Sequence, residues 1–195
     1  WTAQVSGTGV ALNALAFTDA DHGWAAGAGG TLLRTTDGGL NWLPSTSGTT
    51  NDLFTVAQNG NSVWVGGAGG TCLVSTTGGA PFTPYNLRAD YGPDVRAIAL
   101  ASPTDVWVAG GGGFVRRSQN GGSTWSFPLS SIHGQVSALA LGGTTLVAVS
   151  SRFLVPVRWN GSTALSLPAG ATLSRTWNQR QSAGGATIRG NSLAV

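Results

Sequence analysis

The stretch HGWAAGAGGTLLRTTDGGLNW, residues 22–42, holds two short apolar runs, a glycine-rich break between them, and an Asp-Gly-Gly corner before an aromatic. The chain repeats this arrangement. NSVWVGGAGGTCLVSTTGGAPF (61–82), TDVWVAGGGGFVRRSQNGGSTW (104–125) and TTLVAVSSRFLVPVRWNGSTAL (144–165) follow in the same register. Trp24, Trp64, Trp107 and Val147 share one position, at spacings of 40, 43 and 40 residues. A further apolar run precedes each unit: LNALAF (12–17), LFTV (53–56), VRAIAL (95–100) and VSALAL (136–141).

Every unit thus carries four short strand-like runs, which in the first unit are 13–18, 23–27, 31–36 and 41–47. Runs this short cannot cover both faces of a sheet alone, so neighbouring units must bury one another. Four antiparallel strands in a unit of about 40 residues specify a β-propeller blade. A helical repeat would need a 3.6-residue apolar period, which is absent. The fold class is all-β, with four to five blades in the chain. The expected organisation is one propeller over residues 1–195: a partial blade at 1–9, blades at 10–49, 50–92, 93–133 and 134–170, and a degenerate or partial blade at 171–195. Alanines in the first run of a unit suit the crowded wall of a central channel. The glycine runs 27–30, 67–70 and 110–113 predict flexible hairpin tips that use positive φ angles.

The corner closes the hairpin between the third and fourth strands. An Asp there can accept hydrogen bonds from nearby backbone N–H groups and cap the turn. The repeats vary in an informative way. The Asp slot is Asp37, Thr77, Asn120 and Asn160, the paired glycines are Gly38-Gly39, Gly78-Gly79 and Gly121-Gly122, and the aromatic slot is Trp42, Phe82, Trp125 and Leu165. Hydrogen-bonding side chains replace one another, as do bulky apolar ones that could fill a seam between blades. A catalytic Asp could not become Thr or Asn and keep its chemistry, so these turns are expected to be structural.

These residues resemble the Asp-box or BNR repeat, Ser/Thr-x-Asp-x-Gly-x-Thr-Trp, and the unit is most similar to the photosystem II stability/assembly-factor-like propellers. Residues 22–42 match closely; VWVAGGGGFVRRSQNGGSTW matches with Asn120 for Asp; the second repeat is weaker and the fourth recognisable by register. The resemblance covers about residues 1–165 and is specific for fold. It implies an exported protein, periplasmic or lumenal, that holds subunits of a membrane complex during assembly. Members of that family usually have seven blades. Here WTAQVSGTG at residue 1 parallels WLPSTSGTT at 42, and the final GNSLAV parallels GNSVWV at 60–65. Two arrangements fit: a piece of a longer ring, or a five-bladed ring closed by pairing 166–195 with 1–7. The first is favoured, because an open strand edge invites aggregation.

Composition narrows function. The chain has no Glu, Lys or Met; residues 1–105 hold seven Asp and three Arg (net −4), and 106–195 hold seven Arg and no acid (net +7). Such polarity can orient a partner. A nucleic-acid surface is not expected, since Arg116-Arg117 is the one adjacent basic pair. Asp-box folds include sialidases and other glycosidases, but those need two carboxyl groups across a sugar ring, and sialidase-type sites also a glutamate. The Asp residues fall at turn-like places. No catalytic, cofactor-binding or metal-ligating residue is predicted: His22 and His133 lie far apart in sequence, and the glycine runs lack a phosphate-loop lysine. Cys72, alone in an apolar run, is expected to be a buried inert thiol. No apolar run approaches the roughly 18–20 residues of a membrane span.

A protein–protein scaffold remains the expected function, possessing no cofactor and a protein or membrane-complex partner. An extracellular adhesin or carbohydrate-binding propeller, with a glycan as ligand, is the alternative, and a fragment of a sialidase- or glycosidase-like enzyme the second. Candidate partner-binding residues are Tyr85, Arg88 and Tyr91 in the long loop 84–94, and Arg116, Arg117, Arg152 and Arg158 on third strands, where outward-pointing side chains would form an electropositive patch.

Overall fold

Trp24, Trp64 and Trp107 are all but fully buried, each on the second strand of a sheet. The computed structural model describes residues 3–85, 87, 93–127, 134–142 and 145–150, and the backbone of 154–159, 164–165, 187–189 and 192–194. The first sheet runs β1 (Leu12–Phe17), β2 (Gly23–Gly27), β3 (Leu32–Thr35) and β4 (Leu43–Pro44), each pairing antiparallel with the next. The second repeats it with β5 (Leu53–Asn59), β6 (Ser62–Gly67), β7 (Cys72–Ser75) and β8 (Thr83–Pro84). The third has β9 (Val95–Leu100), β10 (Val106–Gly110) and β11 (Val115–Ser118), with an Arg117–Ser126 bridge where a fourth strand would start. The fourth comprises β12 (Val136–Gly142), β13 (Thr145–Ser150), β14 (Leu154–Trp159) and β15 (Ala164–Leu165); β16 (Thr187–Arg189) and β17 (Ser192–Ala194) pair with each other.

Burial explains the composition of the second strands. GWAAG, SVWVGG and VWVAG are buried at every residue rather than alternately. A strand covered on both faces loses the apolar-polar alternation of a half-exposed one. The cores accordingly lie between sheets. Trp24, Ala26 and Leu32 of the first sheet pack on Leu53, Val56 and Val63 of the second. Trp64 and Cys72 meet Val95, Ile98 and Val106 of the third, and Trp107 and Val115 meet Val136, Leu146 and Ala148 of the fourth. Small residues set the spacing: a Cβ on Gly66 would lie 2.7 Å from Thr55 Cγ2 and 2.9 Å from Val95 Cβ. The first sheet carries no other sheet on its far side among the described residues. There Leu12 and Leu15 are 37% and 63% exposed, whereas their counterparts Leu53 and Val56 are 0% and 6%.

The innermost strands β1, β5, β9 and β12 together line one cavity of about 220 Å³. This is the channel wall, and its alanines Ala14, Ala97 and Ala138 fit the crowding there. The glycine runs are a correction. They form short 3-10 turns, Ala28–Gly30, Ala68–Gly70 and Gly111–Gly113, whose middle glycines have φ of 62°, 60° and 69°. They are fastened rather than loose. The Gly29 N–H donates to Asp52 Oδ1 (2.8 Å) and the Gly69 N–H to Asp94 Oδ1 (3.1 Å), in each case across to the start of the following sheet. Each turn also bonds to the start of its own sheet: Ala28 N–H to the Ala11 carbonyl, Ala68 to Asp52, Gly111 to Asp94.

Candidate functional site

The Asp-Gly-Gly corners are built around a buried hydroxyl that precedes the Asp slot by two residues. In the first sheet, Thr35 Oγ1 accepts from the Gly39 N–H (2.9 Å) and donates to Asp37 Oδ1 (2.8 Å). Asp37 accepts from the Asn41 backbone N–H (2.9 Å) and from Asn41 Nδ2 (2.7 Å). The Asn41 side-chain amide, its backbone N–H and the Thr35 hydroxyl together hold the Asp37 carboxyl below its ordinary range. The third corner repeats the pattern with neutral groups. Ser118 Oγ accepts from Gly122 (2.7 Å), and Asn120 Oδ1 accepts from Thr124 (2.8 Å). In the second, Ser75 Oγ donates to the Gly79 carbonyl, and Thr77 Oγ1 lies 3.1 Å away. The first glycine of each pair ties the corner to the turn between its sheet's first two strands: Gly38 to Asp21, Gly78 to Asn61, Gly121 to Thr104. Thr35, Ser75 and Ser118 fill the Ser/Thr slot that opens the Asp-box pattern, but the sequence alone gives that slot no role; the structure makes its hydroxyl the centre of each corner.

The aromatics after these corners reach across seams. Phe82 lies edge-on to Trp24 of the preceding sheet, with centroids 5.4 Å apart, and Trp125 edge-on to Trp64 at 6.0 Å. Trp42 instead meets Phe17 of its own sheet at 6.0 Å, since no preceding sheet stands there among the described residues.

Five of the described carboxylates are committed within the fold. Asp37 holds its corner; Asp52 and Asp94 fasten the glycine turns. Asp19 accepts from the His22 and Asp21 N–H groups (2.7 and 2.8 Å) and sits beside His22 Nδ1, contacts that bring its pKa to about 2. Asp105 takes a two-pronged bond from Arg117, Nε at 2.8 Å and Nη2 at 2.6 Å. Burial pushes the Asp94 carboxyl up, but the Gly69 N–H and Arg96, with Nη2 at 2.6 Å, outweigh it and leave it below its usual range. No cluster of metal-ligating side chains forms among the described residues. Cys72 is buried in the second seam, which raises its thiol to about 12.

The arginine pair divides. Adjacent strand residues point to opposite faces. Arg117 turns onto Trp107 (5.1 Å from the ring centroid) and is 5% exposed, while Arg116 lies over Phe114 and Phe127 (5.8 and 5.0 Å). The two therefore share no patch. Tyr85 sits in the second seam: its hydroxyl donates to the Gly122 carbonyl and accepts from Trp125 Nε1 (3.1 Å). Arg88, Tyr91 and Arg152 lie outside the described residues, and Arg158 is placed on β14 by backbone alone. Arg96, unremarked in the sequence, stacks on Phe54 (4.1 Å) in the channel wall.

No helix among the described residues is long and apolar enough to cross a membrane. No curated protein matches the chain. Among solved structures, one described as YCF48 bound to D1 peptide is 26% identical, with a TM-score of 0.67 over 79% of this chain and 53% of its own. YCF48 from Cyanidioschyzon merolae is 22% identical, with a TM-score of 0.66 over 82% of this chain and 58% of its own. An ancestral GH74 enzyme shares the fold at 19% identity, with a TM-score of 0.63, over 80% of this chain and 24% of its own. The chain thus spans little more than half the length of the YCF48 propellers. The photosynthesis system II assembly factor YCF48 family matches residues 1–160, and on that match the chain belongs to this family.

Proposed function

We propose that the chain is a non-catalytic propeller, exported from the cytoplasm, that holds a polypeptide segment of a membrane-complex subunit during assembly. The observation that carries this is the commitment of the carboxylates. Glycoside hydrolysis needs two carboxyl groups facing a substrate across the scissile bond. Here there is no Glu, and five of the six described Asp residues, Asp19, Asp37, Asp52, Asp94 and Asp105, are spent on turns, inter-sheet fastenings and an ion pair, which leaves Asp21 alone among them. What the fold offers instead is a rigid frame with loops at both ends. Membership of an assembly-factor family, and a relative described as bound to a D1 peptide, support a protein partner.

The test is cross-linking capture by the full-length protein in membranes of its source organism, with the captured proteins identified by mass spectrometry. The expected result is enrichment of one membrane complex's subunits in an unassembled state. Enrichment of no membrane subunit, or turnover of a polysaccharide that a single Asp substitution abolishes, would overturn it.

A further inference from the structure

Arg34 differs from Arg96 and Arg117, which are paired with Asp94 and Asp105. It is exposed and forms no ion pair or hydrogen bond among the described residues, yet its guanidinium is held in place. The Trp24 ring centroid lies 5.7 Å from its Cζ, and its Nη1 rests 3.2 Å from where a Cβ on Gly79 would stand. The side chain thus reaches from β3 across the first seam to the second corner, and the missing side chain at Gly79 leaves room for it.

Register within the repeat explains why no acid meets it. Arg34 pairs with Trp24 across the β2–β3 ladder as Arg117 pairs with Trp107 across β10–β11. In the third sheet the residue two before the tryptophan is Asp105, which closes on Arg117. In the first that slot is His22, which is turned to Asp19. The Asp slot of the facing corner is Thr77, which supplies no charge. Both departures line the same cleft, about 460 Å³ in volume, together with Arg34, Gln58, Asn61 and Asp19. Asp19 is the one acid on that wall among the described residues, and its oxygens take hydrogen bonds from its own turn rather than from Arg34.

We propose that this cleft between the first and second sheets takes a carboxylate of an extended polypeptide, gripped by Arg34. A guanidinium offers two parallel N–H donors that match a planar carboxylate, and a fork already stacked on an aromatic loses less freedom on binding. The amide side chains of Gln58 and Asn61 on the same walls suit the backbone flanking an acidic residue. The proposal rests on the assignment of a polypeptide partner above.

The test uses the full-length ¹⁵N-labelled protein, titrated with N-acetyl-Ala-Glu-Ala-amide and its Gln counterpart. The Glu peptide is expected to shift the Arg34 Nε–H and the Gly78 and Gly79 amides saturably, with the Gln peptide and the Arg34→Gln variant each binding about tenfold more weakly. Arg34→Lys keeps the charge without the fork and should fall between. Unchanged unfolding of Arg34→Gln in urea would assign its weaker binding to the cleft. Equal shifts by the Glu and Gln peptides, unchanged binding by Arg34→Gln, or displacement of the Glu peptide by an equal concentration of inorganic phosphate would overturn the proposal. So would wild-type partner capture by Arg34→Gln, which leaves the scaffold assignment standing. A Glu peptide bound at Arg34 with no membrane subunit captured would overturn the scaffold assignment alone.

Discussion

Replacing Asp105 with Ser should destabilise the protein severely, and the second sheet shows how to reverse the loss. Arg117 is 5% exposed and its ion-pair partner Asp105 17% by side chain, so the pair is largely withdrawn from water. Removing one member of such a pair strands the other's charge, at a cost of about 3–5 kcal/mol. The Arg117 Nε and Nη2 bonds to the two carboxylate oxygens would both be lost. The second sheet solves the same geometry without charge: Val74 stands at the Arg117 position, and Ser62, at the Asp105 position, accepts from Trp64 Nε1 at 3.0 Å. Asp105→Ser with Arg117→Val transplants that solution. The double variant is expected within about 1.5 kcal/mol of the parent, because an apolar replacement for a buried pair is often neutral. Urea unfolding followed by tryptophan fluorescence measures both variants, provided the slopes agree. A double variant as unstable as Asp105→Ser alone would show that packing of the carboxylate, not a stranded charge, sets the cost.

Gly122→Ala should cost about 3 kcal/mol, since φ is 96° and a Cβ would lie 2.9 Å from Tyr85 and 3.0 Å from Trp64. Gly112→Ala, at φ 69° with open space around it, should cost about 1 kcal/mol; equal losses in urea would refute the overlap. Acid should weaken the fold. Asp19, Asp37 and Asp94 have folded pKa values below their unfolded ones, so their contribution is complete above the ordinary carboxylate range and is lost as pH falls through the folded values, about 2 for Asp19. Urea midpoints that stay flat between about pH 5 and 2.5 would contradict this. Cys72, with its thiol raised to about 12, should ignore a chromogenic disulfide at neutral pH until denaturant is added, whereas rapid reaction of the native protein would place the thiol at the surface.

The repeat was legible because its determinants are local. A corner of Ser or Thr, an Asx or Thr, and two glycines closes on itself within five residues, so spacing alone located the hairpins. The first unit's expected strands 13–18, 23–27, 31–36 and 41–47 overlap the observed 12–17, 23–27, 32–35 and 43–44; the differences lie at strand ends, where hydrogen bonds to the partner decide pairing. Glycine runs were recognised as turns, but their fastening was invisible, because Asp52 and Asp94 act on turns of the preceding sheet.

Charge location belonged to the tertiary structure. Arg116 and Arg117 read alike in sequence, and only the facing of β11 sends one to Trp107 and Asp105 and the other to Phe127. Tyr85 read as a loop residue and lies in a seam, since a neighbouring sheet supplies both of its hydroxyl's partners. The cleft at Arg34 needs two sheets and one corner to exist at all. Residue type and spacing determined the blades; which polar groups meet, and which are left to face a ligand, was decided when sheets that are distant in sequence packed together.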